Sequence, residues 1–161
     1  ATLLCTRMDL PMTAFADTLT ALPDPDADAD FYTGVPLKRA LAWVVDASLV
    51  LIASVLIVPF TAFTALFFFP FLILMVGFTY RWFTIAGRSA TWGMRLMGIE
   101  LRDHTGARLN GTLALFHTLG YTVSVAAMPL QFISMGMMAL TPRGQGLSDT
   151  MLGTAAINRP G

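Results

Sequence analysis

The stretch ALAWVVDASLVLIASVLIVPFTAFTALFFFPFLILMVGFTY, residues 40 to 80, holds a single charged side chain, Asp46, in 41 residues. As one helix rising about 1.5 Å per residue it would run about 60 Å, twice the roughly 30 Å of a bilayer's hydrocarbon. Two spans are therefore expected. The break falls around Pro59 to Thr64, where proline removes a backbone donor and two threonines tolerate an interface. The spans are placed at about 38 to 58 and 62 to 82, with Pro70 as a kink in the second.

Outside that stretch the composition points the same way. The 161 residues are 55% hydrophobic and 12% charged, against roughly 25% charge in soluble domains. The remaining 120 or so residues supply too little polar surface to cover a buried soluble hairpin. Ten basic residues balance ten acidic ones, which argues against a nucleic-acid binder working through bulk positive charge. The single cysteine, Cys5, excludes an internal disulfide or a cysteine-built zinc scaffold.

A second uncharged gap runs from Leu109 to Pro142, and its apolar part, Leu113 to Leu140, is interrupted by Pro129. One helix over 113 to 141 would be about 42 Å long and would cross with tilt. Two halves, 113 to 128 and 130 to 141, would each be about 24 Å or less and would form a re-entrant hairpin. The expected fold class is thus an all-α multi-pass bundle with two clear spans and a third kinked or re-entrant apolar segment. Residues 38 to 159 form the membrane domain, and 1 to 37 an acidic tail.

Charge sets the orientation. Arg81, Arg88, Arg95, Arg102 and Arg108 stand against Glu100 and Asp103, so five minus two leaves +3 in the connecting loop. Basic loops stay in the cytoplasm. The loop 84 to 110 and the amino terminus, next to Lys38 and Arg39, are therefore placed inside, with Trp43, Tyr80 and Trp82 as an aromatic belt. The tail alternates Asp24, Asp26, Asp28 and Asp30 among prolines and reads as poorly ordered or partner-bound. Met8 to Leu22 has some helical periodicity and is expected to lie on the membrane or a partner or to stay a disordered tail, and Cys5 after Leu3 and Leu4 lacks the small residue and the leader of a lipoprotein signal. In the loop, Ser89 or Thr91 caps a short amphipathic helix to about Met97, with Arg88 and Arg95 turned toward anionic headgroups. Ile99 to Arg102 then alternates as a strand, and Ala107 to Leu109 is expected to pair back on it across a turn at Asp103 to Gly106.

Asp46 lies seven residues, about 10 Å, inside the first span, where an unpaired charge costs about 2.5 to 3.5 kcal/mol. Arg39, Asp46 and Ala53 recur every seven residues with Ala42 between, a stripe that should face protein. Arg39 is two turns away, so Arg81 or the Arg143 region must approach Asp46. Asp149, in the glycine-rich run 142 to 149, reaches Arg39 only if the chain returns to the cytoplasmic side, which favours the hairpin reading of 113 to 141.

Arg39, Asp46, the run Thr91-Trp92-Gly93-Met94-Arg95-Leu96-Met97-Gly98 and the run Arg143-Gly144-Gln145-Gly146-Leu147-Ser148-Asp149-Thr150-Met151-Leu152-Gly153-Thr154 together resemble the RDD family of bacterial membrane proteins. The resemblance covers about residues 31 to 159. Arg39 and Asp46 take the places of the family's named arginine and first aspartate; Asp149 takes the third place, with Asp103 as competitor. The turn departs from the Asp-Gly that members often show, having Asp103-His104-Thr105-Gly106. The resemblance implies a small protein of the bacterial cytoplasmic membrane, with transport suggested and cation/proton exchange proposed for some members.

Enzyme readings find no support. Gly93 and Gly98 have phosphate-loop spacing without the following lysine. His104 and His117 are isolated from carboxylate or thiolate clusters, and no serine or cysteine has a base partner, so no metal, cofactor or catalytic residue is expected. Met128, Met135, Met137 and Met138 read as adaptable packing. Two functions follow: an accessory subunit packed among lipids against a larger membrane protein complex, or an oligomeric cation/proton exchanger working through Asp46.

Overall fold

A computed structural model describes residues 20 to 159. Its first long helix, α1 (Val35–Ile57), follows Gly34 in a left-handed conformation (φ 72°) and has a proline in its first turn. Pro36 fits there because the amide it lacks would be unpaired in any residue. A 3-10 turn at Val58–Thr61, left-handed Ala62 and Phe63, and a second 3-10 turn at Thr64–Phe68 reverse the chain. The second helix, α2 (Phe69–Arg88), starts only after them. Pro70 therefore opens α2 and does not kink it, and the helix expected over 62 to 82 starts seven residues later and ends six residues later.

Left-handed Ser89 ends α2, and Thr91 caps the short α3 (Trp92–Leu96) by accepting from the Met94 amide. Strand β1 (Ile99–Arg102) follows. Asn110 caps α4 (Gly111–Ala126), and Pro129 sits in the first turn of α5 (Met128–Leu140). Between these two helices the chain bends by 118°. A final helix, α6 (Leu147–Leu152), and strand β2 (Ala155–Asn158) close the fold. It is mostly helical, 68%, and two helical stretches, Ala29–Thr61 and Thr64–Arg88, are long and apolar enough to cross a membrane.

The strand pairing corrects the expected hairpin. β1 pairs antiparallel with β2, Ile99 opposite Asn158 and Arg102 opposite Ala155, while residues 107 to 109 contribute only an isolated Arg102–Arg108 bridge. Asp103 explains the divergence. Its Oδ1 accepts from the Thr105 amide (2.9 Å) and hydroxyl (2.6 Å) and the Ala107 amide (3.0 Å), closing a tight Asx-type turn. The Leu109 amide is then drawn off to the Ser89 hydroxyl at 2.7 Å. The neighbouring strand position is left to Ala155, Ala156 and Ile157, all buried.

Nearly all the internal packing lies at one end. Val35, Ala42, Ile85, Ala90, Met94, Ile99, Leu101, Leu109, Ala114 and Ala156 form its core. Lys38 Nζ donates to Asn158 Oδ1 (2.7 Å) and the Arg159 amide to the Gly98 carbonyl (2.8 Å), so the start of α1 and both strands are tied together. Elsewhere the helices show large apolar side chains outward, Ile52 and Leu56 on α1 and Phe60 and Phe67 beyond it among them. Buried residues of α4 and α5, by contrast, include Thr118, Ser124 and Ser134. That is the distribution expected where the surrounding solvent is lipid and small residues mediate helix contact.

Of the acidic tail, residues 20 to 34 run along this same end. Leu22 and Tyr32 pack with Ala155 and Ile157, the Ala21 amide bonds the His104 carbonyl, and Tyr32 Oη donates to the Pro23 carbonyl. The periodic segment Met8 to Leu22, apart from its last three residues, and Cys5 lie outside the described residues.

Candidate functional site

Asp46 is 4% exposed and is surrounded by donors from its own chain. Tyr80 Oη donates to its Oδ1 (2.7 Å), the Gly93 amide to the same oxygen (2.9 Å) and Thr91 Oγ1 to Oδ2 (2.6 Å), while Arg81 Nη2 stands 3.8 Å from Oδ2. These groups come from α2 and α3, so the carboxylate fastens α1 to both. Gly93 makes the approach possible. A Cβ there would strike the Ala42 carbonyl oxygen and lie 2.8 Å from Asp46 Oδ1. The small-residue stripe on α1 is where α3 lands.

Thr91 serves twice, capping α3 and donating to Asp46. Thr91→Val keeps the shape and removes both bonds. It should cost about 2 to 3 kcal/mol, one cap plus one bond to a charged acceptor, read as a lowered unfolding midpoint in detergent. An unchanged midpoint would show that the network does not hold α3 in place.

Asp149 is fully buried in the first turn of α6. Its Oδ2 lies 2.6 Å from Arg39 Nη1 and accepts from the Gly146 amide (3.0 Å). Its Oδ1 lies 2.7 Å from His117 Nε2 and accepts from Thr154 Oγ1 (3.2 Å). Burial by itself would raise the carboxyl's pKa. The Arg39 charge and the His117 hydrogen bond outweigh it, and the group is held well below the usual carboxylate range. Four elements, α1, α4, α6 and the turn before β2, thus meet on one side chain.

The structure brings some of the singled-out residues together and separates others. Arg39 meets Asp149; Asp103, the competitor, is engaged in its own turn. Arg81 is the arginine beside Asp46, whereas Arg143 stands next to Tyr32 and Asp24. Arg88 is exposed, and the Arg95 guanidinium sits 5.8 Å from the centre of the exposed Trp92 ring. Between α1, α2 and α4 opens a cleft of about 150 Å³ that reaches Asp46 and Arg81.

Two participants escaped the sequence reading. His117 looked like a lone polar residue in an apolar helix, and only Asp149's distant position explains it. Glu100 is completely buried on β1. Its Oε1 accepts from Arg102 Nε at 2.9 Å, and Arg108 and Arg159 approach Oε2 at 3.8 and 3.7 Å. An alternating strand at the rim of a hairpin would leave Glu100 in water; pairing with β2 encloses it instead. Among the described residues no group of three or more histidine, cysteine or acidic side chains is placed to hold a metal.

The model of the RDD family matches residues 33–153. The chain belongs to the RDD family. No curated protein and no solved structure matches it. The matched span of this RDD family protein takes in Arg39, Asp46 and Asp149 with all their partners except Thr154, and stops just before β2. Family membership and the two apolar helices of spanning length fit a membrane protein.

Proposed function

We propose that this RDD family protein is a non-catalytic structural subunit that packs its apolar faces against a larger protein complex in the bacterial cytoplasmic membrane. The observation that carries this reading is the use of both motif carboxylates inside the chain. Asp46 takes three hydrogen bonds and a neighbouring guanidinium, and Asp149 takes two hydrogen bonds and the side chains of Arg39 and His117. A carboxylate so enclosed is suited to holding helices and ill suited to exchanging cargo. The basic loop 84 to 110 favours a cytoplasmic address for the polar end, and the 118° bend after Ala126 favours a re-entrant course for α4 and α5.

The cleft beside Asp46 supports the alternative, an oligomeric cation/proton exchanger. One pair of experiments separates the two. Gentle extraction after crosslinking in native membranes should yield a larger complex at fixed stoichiometry, and proteoliposomes of the purified protein should show no cation-dependent proton flux. A lone monodisperse homo-oligomer would count against the subunit reading. A parental flux abolished by Asp46→Asn with assembly retained would replace it with exchange.

A further inference from the structure

The cleft between α1, α2 and α4 has a chemistry that the Asp46 network uses only in part. Arg81 projects into it with a side chain only 13% exposed. Its neighbours are the Tyr121 ring, 3.8 Å from the guanidinium carbon, and Asp46 at 3.8 Å, and neither contact is a hydrogen bond. A guanidinium carries five N–H donors, and the part-exposed Arg81 side chain keeps some of them open to the cleft. Tyr121 Oη accepts from Trp43 Nε1 at 2.8 Å and retains its own proton to give. The acceptor at the cleft floor, Asp46, is already taken up by Tyr80, Thr91 and Gly93. The polar end of the cleft therefore offers donors, with the Arg81 guanidinium set in front of the Asp46 carboxylate it is paired with.

Its other end is apolar. Val50, Ile73, Leu74, Phe78 and Val125 line the walls, and each is partly exposed, so the cleft opens sideways between the helices. Depth agrees with this division. Arg81 lies seven residues, about 10 Å, inside the end of α2 at Arg88, and the cleft runs from it past Phe78 and Leu74, deeper into the span. A ligand that matches would carry oxygen acceptors and negative charge at its head, and an apolar tail running toward the bilayer centre.

The geometry points to a binding site for one anionic phospholipid, its phosphate on Arg81 and Tyr121 and an acyl chain along Val50, Phe78 and Val125. This goes beyond the subunit reading and stands whether or not a larger complex exists. Arginine suits the role because its fork matches two phosphate oxygens at once.

Native mass spectrometry of the full chain in detergent, titrated with phosphatidylglycerol or with phosphatidylcholine of matched acyl chains, tests it. One phosphatidylglycerol should be retained per chain, in preference to phosphatidylcholine by about tenfold, the value of a charge-assisted contact. Arg81→Gln should erase that preference. Val125→Phe, which fills the apolar walls without touching the Asp46 network, should lower retention of both lipids and guards against a folding defect in the first variant. Arg108→Gln, at an exposed arginine outside the cleft, should leave retention unchanged. Equal retention of the two lipids, or phosphatidylglycerol retention indifferent to both cleft variants, would reduce the signal to surface lipid and overturn the proposal. Displacement of the lipid by millimolar inorganic phosphate would also overturn it, by reassigning the donors to a small anion.

Discussion

Asp149→Asn is expected to lower the unfolding midpoint of the detergent-solubilised protein by roughly 6 to 20 °C, from a loss of about 3 to 5 kcal/mol at 2 to 4 °C per kcal/mol. The substitution is nearly isosteric, so the loss is electrostatic. Arg39, 12% exposed, keeps its charge and loses the carboxylate 2.6 Å away, while the new amide nitrogen points a donor where acceptors are needed. The pH profile gives an independent signature. Asp149 titrates below its unfolded value near 3.8, so its contribution is complete above that value and is lost as pH falls through the depressed native pKa. The parent should therefore lose stability progressively below about pH 4, and Asp149→Asn should show a shallower fall. Parallel profiles would mean that another carboxylate controls the acid limb.

Gly93→Ala is the second large effect, at about 2 to 5 kcal/mol, because overpacking against backbone adds to a lost bond at Asp46. The added methyl meets the Ala42 carbonyl, and backbone does not step aside as a flexible side chain does. α3 must lift from α1, and the Gly93 amide and Thr91 hydroxyl leave Asp46 as it lifts. Size-exclusion profile and unfolding midpoint read the outcome. Gly87→Ala is the matched control: nothing lies within 4 Å of a Cβ there, so the same methyl should be neutral or stabilising by up to about 1 kcal/mol. Equal behaviour of the two variants would deny that the α1–α3 approach depends on position 93.

These sites were unequally legible in the sequence. The two helices of spanning length were visible because hydropathy is a local sum, and the gap from Ala40 to Tyr80 leaves room for little else. Pro70 was misread because a proline signals a break without saying on which side the helix lies; the left-handed Ala62 and Phe63 that decide it have no sequence signature of their own. Thr91 and Gly98 marked the ends of α3 through ordinary capping chemistry. The partner of β1 was hidden, since Ala155 to Ile157 reads only as a short apolar run and lies more than 50 residues away. Glu100 was hidden with it. For the two carboxylate networks, the motif resemblance nominated Arg39, Asp46 and Asp149, but only the fold shows that His117 shares Asp149 and that Arg81, not Arg143, stands at Asp46.

The separation of 110 positions between Arg39 and Asp149 also imposes an order of events in time. At a synthesis rate of 5 to 20 residues per second, roughly 5 to 20 s pass between the appearance of the arginine and that of its carboxylate. During that interval α1, α2 and α4 are complete, yet Arg39 and His117 have no anion between them. Asp46 is different: Tyr80, Arg81, Thr91 and Gly93 follow it within 47 residues. The nascent chain can therefore lock its first hairpin early and hold its polar end open until the last strand arrives, which leaves a defined period in which the protein is folded but unlatched.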